Sequence, residues 1–94
     1  MFRIIDGRGT GKTSRLILLA KESGATVVCS NPSAMEVKAR NYGIIGVDFI
    51  SYSQYLQTIS GEKLGKKYMI DELDAFLDYM FHNSEILGYT ISLE

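Results

Sequence analysis

Two clusters in this 94-residue chain have residue types and spacing that could do chemistry. The first is Asp6-Gly7-Arg8-Gly9-Thr10-Gly11-Lys12-Thr13, a glycine-rich run that ends on a cation and a hydroxyl. Glycines let a backbone curl until successive N–H groups point at one anion. A helix opening at Lys12 would aim the positive end of its dipole at the same place. The second cluster is Asp71-Glu72, which ends the short run Lys67-Tyr68-Met69-Ile70. Carboxylates are groups that can hold a hard cation or accept a proton.

The glycine-rich run resembles a Walker A phosphate-binding loop, G-x-x-x-x-G-K-[ST]. The resemblance implies that Lys12 reaches the β- and γ-phosphate oxygens and that Thr13 binds Mg²⁺, with Gly7, Arg8, Gly9, Thr10, Gly11 and Ser14 completing the nucleotide contacts. Gly9 and Gly11 are the positions expected to supply positive φ. One position departs from the pattern: Asp6 stands where the first glycine is expected, with Gly7 one residue later, so the turn out of the strand must be made differently. The competing reading is a glycine-rich turn that binds nothing, and the apolar run before the loop and the helical pattern after it argue against that.

Residues 67–72 similarly resemble a Walker B strand. In that pattern the aspartate, here Asp71, holds Mg²⁺, usually through water, and the following glutamate, here Glu72, polarises the attacking water. The competing reading is a helix N-terminus, where acids are favoured by the dipole. The two readings are compatible.

The elements that must position these groups alternate. A strand over residues 2–6 leads through the loop to a helix from Lys12 to Ser23, stopped by Gly24. A strand over 26–30 runs into Asn31-Pro32, a cap followed by proline at the first helical position, reinforced by the spacing of Ser33 and Glu36; that helix ends near Gly43. A third strand, 46–51, precedes a short helix over 53–59. A loop over 60–66 feeds the acid-bearing strand, a helix spans 73–83, and Gly88 introduces a fifth strand over 89–93. The expected fold class is therefore α/β, a three-layer α-β-α sandwich with a five-stranded parallel sheet, forming one domain over residues 1–94.

The order of motifs is similar to that in the N-terminal half of a helicase or phage terminase ATPase core, a P-loop NTPase of the RecA-like ASCE type. The resemblance implies that the last strand lies between the two motif-bearing strands and that its end, near Thr90, Ser92 or Glu94, senses the γ-phosphate. The loop is particularly similar to that of terminase large subunits, which commonly carry an arginine at the position of Arg8. A guanidinium there can neutralise charge on the γ-phosphoryl group in cis. The resemblance covers most of the chain by architecture and about a dozen residues by motif. No nuclease domain, second RecA-like domain or arginine-rich helicase motif follows Glu94, and a sheet stopping there leaves the loop's own strand at an edge. Self-association or docking on a larger protein is the expectation that follows.

Composition narrows the partners. The chain is 46% hydrophobic and 22% charged with a net charge of −1, the balance of an ordinary globular domain. That charge leaves nucleic-acid binding open without arguing for it. No apolar run approaches the roughly 20 residues of a membrane span and no signal-peptide pattern is present, so a cytoplasmic location is expected. Cys29, in an apolar run, reads as a small buried hydrophobe, and one Cys with one His leaves no zinc site within the chain.

The remaining polar and aromatic residues carry structural readings. Ser30, Asn31, Ser51, Ser53 and Gln54 fall on the carboxyl-end rim where open α/β sheets bind ligands, though helix caps account for them more simply. Lys63, Lys66 and Lys67 read as a solvated loop at the opposite end. Leu73, Phe76, Leu77, Met80 and Phe81 have the helical spacing of a core stripe. Tyr52 and Tyr55 could stack a base or pack the short helix. His82 reads as a partner of a helix dipole.

Three functions fit. The first is a minimal Mg²⁺-dependent ATPase using Lys12, Arg8, Thr13, Asp71 and Glu72, serving a nucleic-acid process of the phage type. The second is a nucleotide-binding subunit or regulator of a larger motor that does not hydrolyse alone. The third, a nucleoside kinase of the thymidine-kinase type, is disfavoured by the want of an arginine-bearing lid, of zinc-binding cysteines and of room for an acceptor pocket. ATP is the default nucleotide, since no guanine-recognition motif is present.

Overall fold

The computed structural model describes residues 3–5, 9 and 11–92. In chain order its elements are α1 (Lys12–Ser23), β1 (Thr26–Cys29), α2 (Pro32–Asn41), β2 (Phe49–Ser51), α3 (Tyr52–Gln57), α4 (Ser60–Lys63), β3 (Tyr68–Ile70) and α5 (Leu73–Met80). The β-branched run Thr26-Val27-Val28 makes the central strand, because such side chains fit a pleated surface covered on both sides. The three strands are parallel in the order β2-β1-β3, with Val27 beside Phe49 and Met69, and Val28 beside Ile50 and Ile70.

Strand side chains alternate between faces, and the cores follow that alternation. Val27, Cys29, Phe49 and Met69 meet Ile17 and Ala20 of α1 and Met35 and Ala39 of α2 on one face. Val28, Ile50 and Tyr68 meet Tyr52 and Tyr55 of α3 and Phe76 of α5 on the other. Helices therefore cover both sides of the sheet. Helix ends are set by local chemistry: Gly11 precedes α1 and Gly24 closes it, and the Asn31 side chain accepts from the Ala34 N–H at 3.1 Å. Glu36 takes no part in that cap; it faces Arg40 one turn on, at 3.9 Å. Ser51 and Gln54 form a reciprocal capping box at α3.

The α/β class and the covered parallel sheet hold, but the five-stranded sheet does not: three strands form among the described residues. Of the two terminal strands expected, residues 3–5 and 89–92 have no strand pairing, and Phe2, Asp6 and Leu93 lie outside the described residues. Ile5, Tyr89 and Ile91 are exposed at 72%, 59% and 48%. These segments meet through a side chain, the Arg3 guanidinium donating to the Ser92 carbonyl, instead of a backbone ladder. A strand exists only where a neighbour supplies ladder hydrogen bonds, and apolar alternation in a terminal segment does not guarantee one. The sensor positions proposed on a fifth strand, Thr90 and Ser92, accordingly lie on irregular chain, and Glu94 is outside the described residues.

Smaller differences follow the same logic. Residues 60–63 form one helical turn, α4, within the expected loop. The α5 stripe expected to be core buries Phe76 and half-buries Leu77, but leaves Leu73, Met80 and Phe81 at 46%, 39% and 51% exposure. No helix among the described residues is long and apolar enough to cross a membrane.

Candidate functional site

At the entry to α1 the backbone takes the form that the glycines allow. Gly9 has φ 73° and Gly11 φ 79°, both left-handed, the conformation expected of these two positions. Gly11 is the N-cap residue of α1. It has no side chain to occupy the first-turn amides, and no acidic residue stands in that turn. Its carbonyl accepts from the Arg15 N–H at 3.1 Å and from the Ser14 hydroxyl at 2.9 Å, so Ser14 is engaged in closing the helix's first turn. Lys12, Thr13 and Ser14 are all partly buried. Asp6, Gly7, Arg8 and Thr10 lie outside the described residues.

The acid pair sits where the carboxyl end of β3 leaves the sheet. The Asp71 N–H donates to the Val28 carbonyl at 2.9 Å, extending the parallel ladder one residue beyond β3 and fixing Asp71 at its tip. Its carboxyl is raised above the ordinary aspartate range, first by burial and then by the neighbouring Glu72 charge; Lys38 and Lys12 oppose the rise. The loop lysine, 59 positions away in sequence, is thus among the charges that bear on Asp71. Lys38, on α2, is a second cation near Asp71 that no motif announced.

Glu72 is an exposed residue with φ 58° and ψ 74°, left-handed although it is not glycine. It is the N-cap residue of α5, and its carbonyl accepts from the Phe76 N–H at 3.1 Å. Both acids are tied to α3 through Tyr52, whose hydroxyl donates to the Asp71 carbonyl at 2.7 Å and lies 3.3 Å from that of Glu72. The Tyr52 ring is buried against Phe76, with centroids 5.0 Å apart, and lies 5.9 Å from Tyr79. Tyr52 is thus a packing residue with a polar duty. Tyr55 packs edge-on against Tyr68 at 5.0 Å beneath the Lys63 ammonium, which stands 4.1 Å from the ring centroid. Base stacking is not the role these two rings play here.

Comparison with family models, with curated proteins and with solved structures returned no match. The site is therefore read from its own groups.

Of the rim residues, Asn31, Ser51 and Gln54 are engaged in caps. Ser30, Ser51 and Ser53 border an open hollow of about 400 Å³ between α3 and α5, lined also by Tyr52, Asp78 and Tyr79. A larger hollow of about 770 Å³ opens beside Asp48, Phe49 and Lys66, but neither a loop residue nor an acid of the pair lines it. Size alone does not mark the chemistry. Cys29 is fully buried as expected, its thiol donating to the Ile50 carbonyl at 3.6 Å and pushed up to about 11, chiefly by burial and then by Asp71. Lys67 reaches the Ser23 carbonyl at the end of α1, at 3.4 Å. His82 Nδ1 lies 3.3 Å from the Tyr79 carbonyl, near the end of α5.

The Thr13 hydroxyl and the Asp71 carboxylate are hard oxygen donors, the type that magnesium, calcium and manganese take. A burial-raised carboxyl beside a second acid also gains most from a cation that neutralises it. No cluster of three or more His, Cys, Asp or Glu suited to an all-protein metal site occurs among the described residues.

Proposed function

We propose that this protein binds Mg²⁺·ATP at the entry to α1 and hydrolyses it, as a minimal P-loop ATPase serving a nucleic-acid process of the kind phage terminases and helicases serve, in the cytoplasm where ATP is available. The observation that supports the reading is the pair of left-handed glycines at the entry to α1, together with Asp71 fixed at the tip of β3 by its hydrogen bond to the Val28 carbonyl. Open α/β sheets bind ligands at this carboxyl-end rim.

In this reading the first-turn amides of α1 and the Lys12 ammonium hold the terminal phosphates, and Arg8 adds a second cation to the γ-phosphoryl oxygens. Thr13 and Asp71 would hold magnesium, which would supply neutralising charge to the phosphates. Glu72 orients the attacking water and accepts its proton. Asp6, at the place of the pattern's first glycine, opposes phosphate binding by like charge. The protein is expected to bind nucleotide more weakly than a loop with glycine there.

A second reading, a nucleotide-binding subunit that turns over only on a partner, has its own support. Leu73, Met80 and Phe81 of α5 expose an apolar stripe, and β3 has no strand on its outer side among the described residues. P-loop proteins that await an arginine in trans run about 10³ to 10⁵ slower without it.

Calorimetry of Mg²⁺·ATP binding to the wild type and to Lys12→Ala, with phosphate release followed with and without single-stranded DNA, tests both readings. Binding lost in Lys12→Ala and turnover abolished by Glu72→Gln establish the ATPase. Binding without turnover selects the partner-dependent subunit. No binding at millimolar nucleotide overturns both.

A further inference from the structure

We propose that Tyr52 is a positioning residue for Glu72, its hydroxyl strapping the turn between β3 and α5 so that Glu72 is held in a left-handed backbone conformation. The inference builds on the reading of Glu72 as the proton acceptor, but its structural half stands apart from it.

A non-glycine residue at φ 58° carries a steric cost, because its Cβ crowds the neighbouring carbonyl oxygen. Such a conformation persists where surrounding structure over-determines it, and it clusters at functional positions. Here the surrounding structure is identifiable. The Asp71 N–H is committed to Val28 on one side of the turn, and the Glu72 carbonyl to the Phe76 N–H on the other. The Asp71 carbonyl between them is held by Tyr52 at 2.7 Å. Glu72 thus sits between a strand tip and a helix start, both anchored, with the Tyr52 hydroxyl at the one carbonyl in the middle.

Tyr52 is well made for this. It is the first residue of α3, directly after the Ser51 cap, so the Ser51–Gln54 capping box sets its backbone. Its ring is only 5% exposed and is wedged against Phe76 on the helix that Glu72 opens. The strap links α3 to the acid pair across 20 residues of sequence. Where the Glu72 carboxylate leaves the backbone is set by this turn, and in-line attack on a phosphoryl group tolerates little misplacement of the group that orients the water.

The test compares Tyr52→Phe with the wild type, since phenylalanine keeps the ring and its packing and removes only the hydroxyl. Backbone resonances of Asp71, Glu72 and Leu73 in the nucleotide-free protein should shift, with Glu72 leaving the left-handed region. The kcat for phosphate release should fall about 10- to 100-fold, while KM and the affinity for Mg²⁺·ATP stay within about twofold. A residue that served stability alone would lower the melting temperature and leave kcat of the folded fraction intact. If Glu72 resonances stay in place, or kcat is unchanged, the proposal is overturned. If the wild type itself proves silent in turnover, the resonances alone decide the strap, and the role of Glu72 falls separately. Should Tyr52→Phe fail to fold, Glu72→Gly decides: a higher melting temperature than the wild type supports the left-handed turn, and a lower one overturns it.

Discussion

Two turns deliver the candidate chemistry, and they are built in opposite ways. At the entry to α1 the left-handed positions are Gly9 and Gly11, where the conformation costs nothing in sterics. At the entry to α5 the left-handed position is Glu72, a residue that resists it, held by contacts from β1, α3 and α5 itself. The first is set by residue type, since glycine takes that conformation with no Cβ to crowd the backbone. The second is encoded by tertiary structure and exists only once α3 has docked. The left-handed entry to α1 thus rests on residue type, whereas that of α5 rests on the fold.

The sharpest way to break that contrast is to put a side chain where glycine is needed. Gly11→Val forces a β-branched residue into φ 79°, and should cost more than about 2 kcal/mol while abolishing measurable nucleotide binding. The cost is conformational, because a Cβ there would meet only Ser14 Oγ at an ordinary 3.5 Å. Chemical denaturation and calorimetry read the two effects. If Gly11→Val folds and binds like the wild type, the left-handed entry to α1 is not required.

At the other turn the expected sign reverses. Glu72→Gly should raise stability by about 1 kcal/mol, since it relieves a left-handed strain of that order. Combined with Tyr52→Phe the gain should shrink, because a turn no longer strapped has already relaxed. Denaturation of the two single variants and the double variant measures that coupling directly. Strict additivity would mean that the strap and the strain are independent.

How much of this was legible in the sequence divides along the same line. The bounds of α1 follow from Gly11 and Gly24, the start of α2 from Asn31-Pro32, and β1 from its β-branched run, each a local signal. At α3 the sequence offered Ser51 and Gln54 only as cap or turn residues and placed the helix start at Ser53, one residue late; the reciprocal box appears in the structure. The Tyr52 strap was not, because it joins a tyrosine to carbonyls 19 and 20 residues away. The terminal strands failed for a related reason: apolar alternation reports a wish for burial and is silent on whether a neighbour is there to pair. The α5 stripe shows the same gap, with helical spacing that was right and a cover for Leu73, Met80 and Phe81 that the described fold does not supply.

A smaller effect sharpens the contrast electrostatically. The acid form of Asp71 is favoured in the folded protein, so its charged form at neutral pH opposes folding when no cation is present. Asp71→Asn should therefore raise the melting temperature of the nucleotide-free protein by a few degrees at pH 7 while removing Mg²⁺-dependent turnover. The difference should narrow as pH falls and the wild-type carboxyl takes up its proton. A melting temperature lowered at neutral pH would mean that the aspartate is held by a stabilising partner instead.

The mildest expectation concerns alkaline pH, where the two faces of the sheet share one response. Cys29 and Tyr52 stand on opposite faces of the sheet, and both are pushed up, to about 11 and about 12, mainly because burial disfavours their charged forms. Both groups ionise more readily in the unfolded chain, at their ordinary values of 9.0 and 10.0. Their contribution to stability is therefore complete below about pH 9 and is lost as pH rises, first over the thiol's interval and then over the phenol's. Thermal melts from pH 8 to 11 should show a decline that begins near pH 9 in the wild type. Cys29→Ala should flatten the first part of that decline, while Tyr52→Phe should flatten only its upper end. Alkylation gives the same ordering kinetically: the buried thiol should react at pH 8 only as fast as the protein opens, and reaction at the rate of a free thiol would show that the β1 layer does not enclose it.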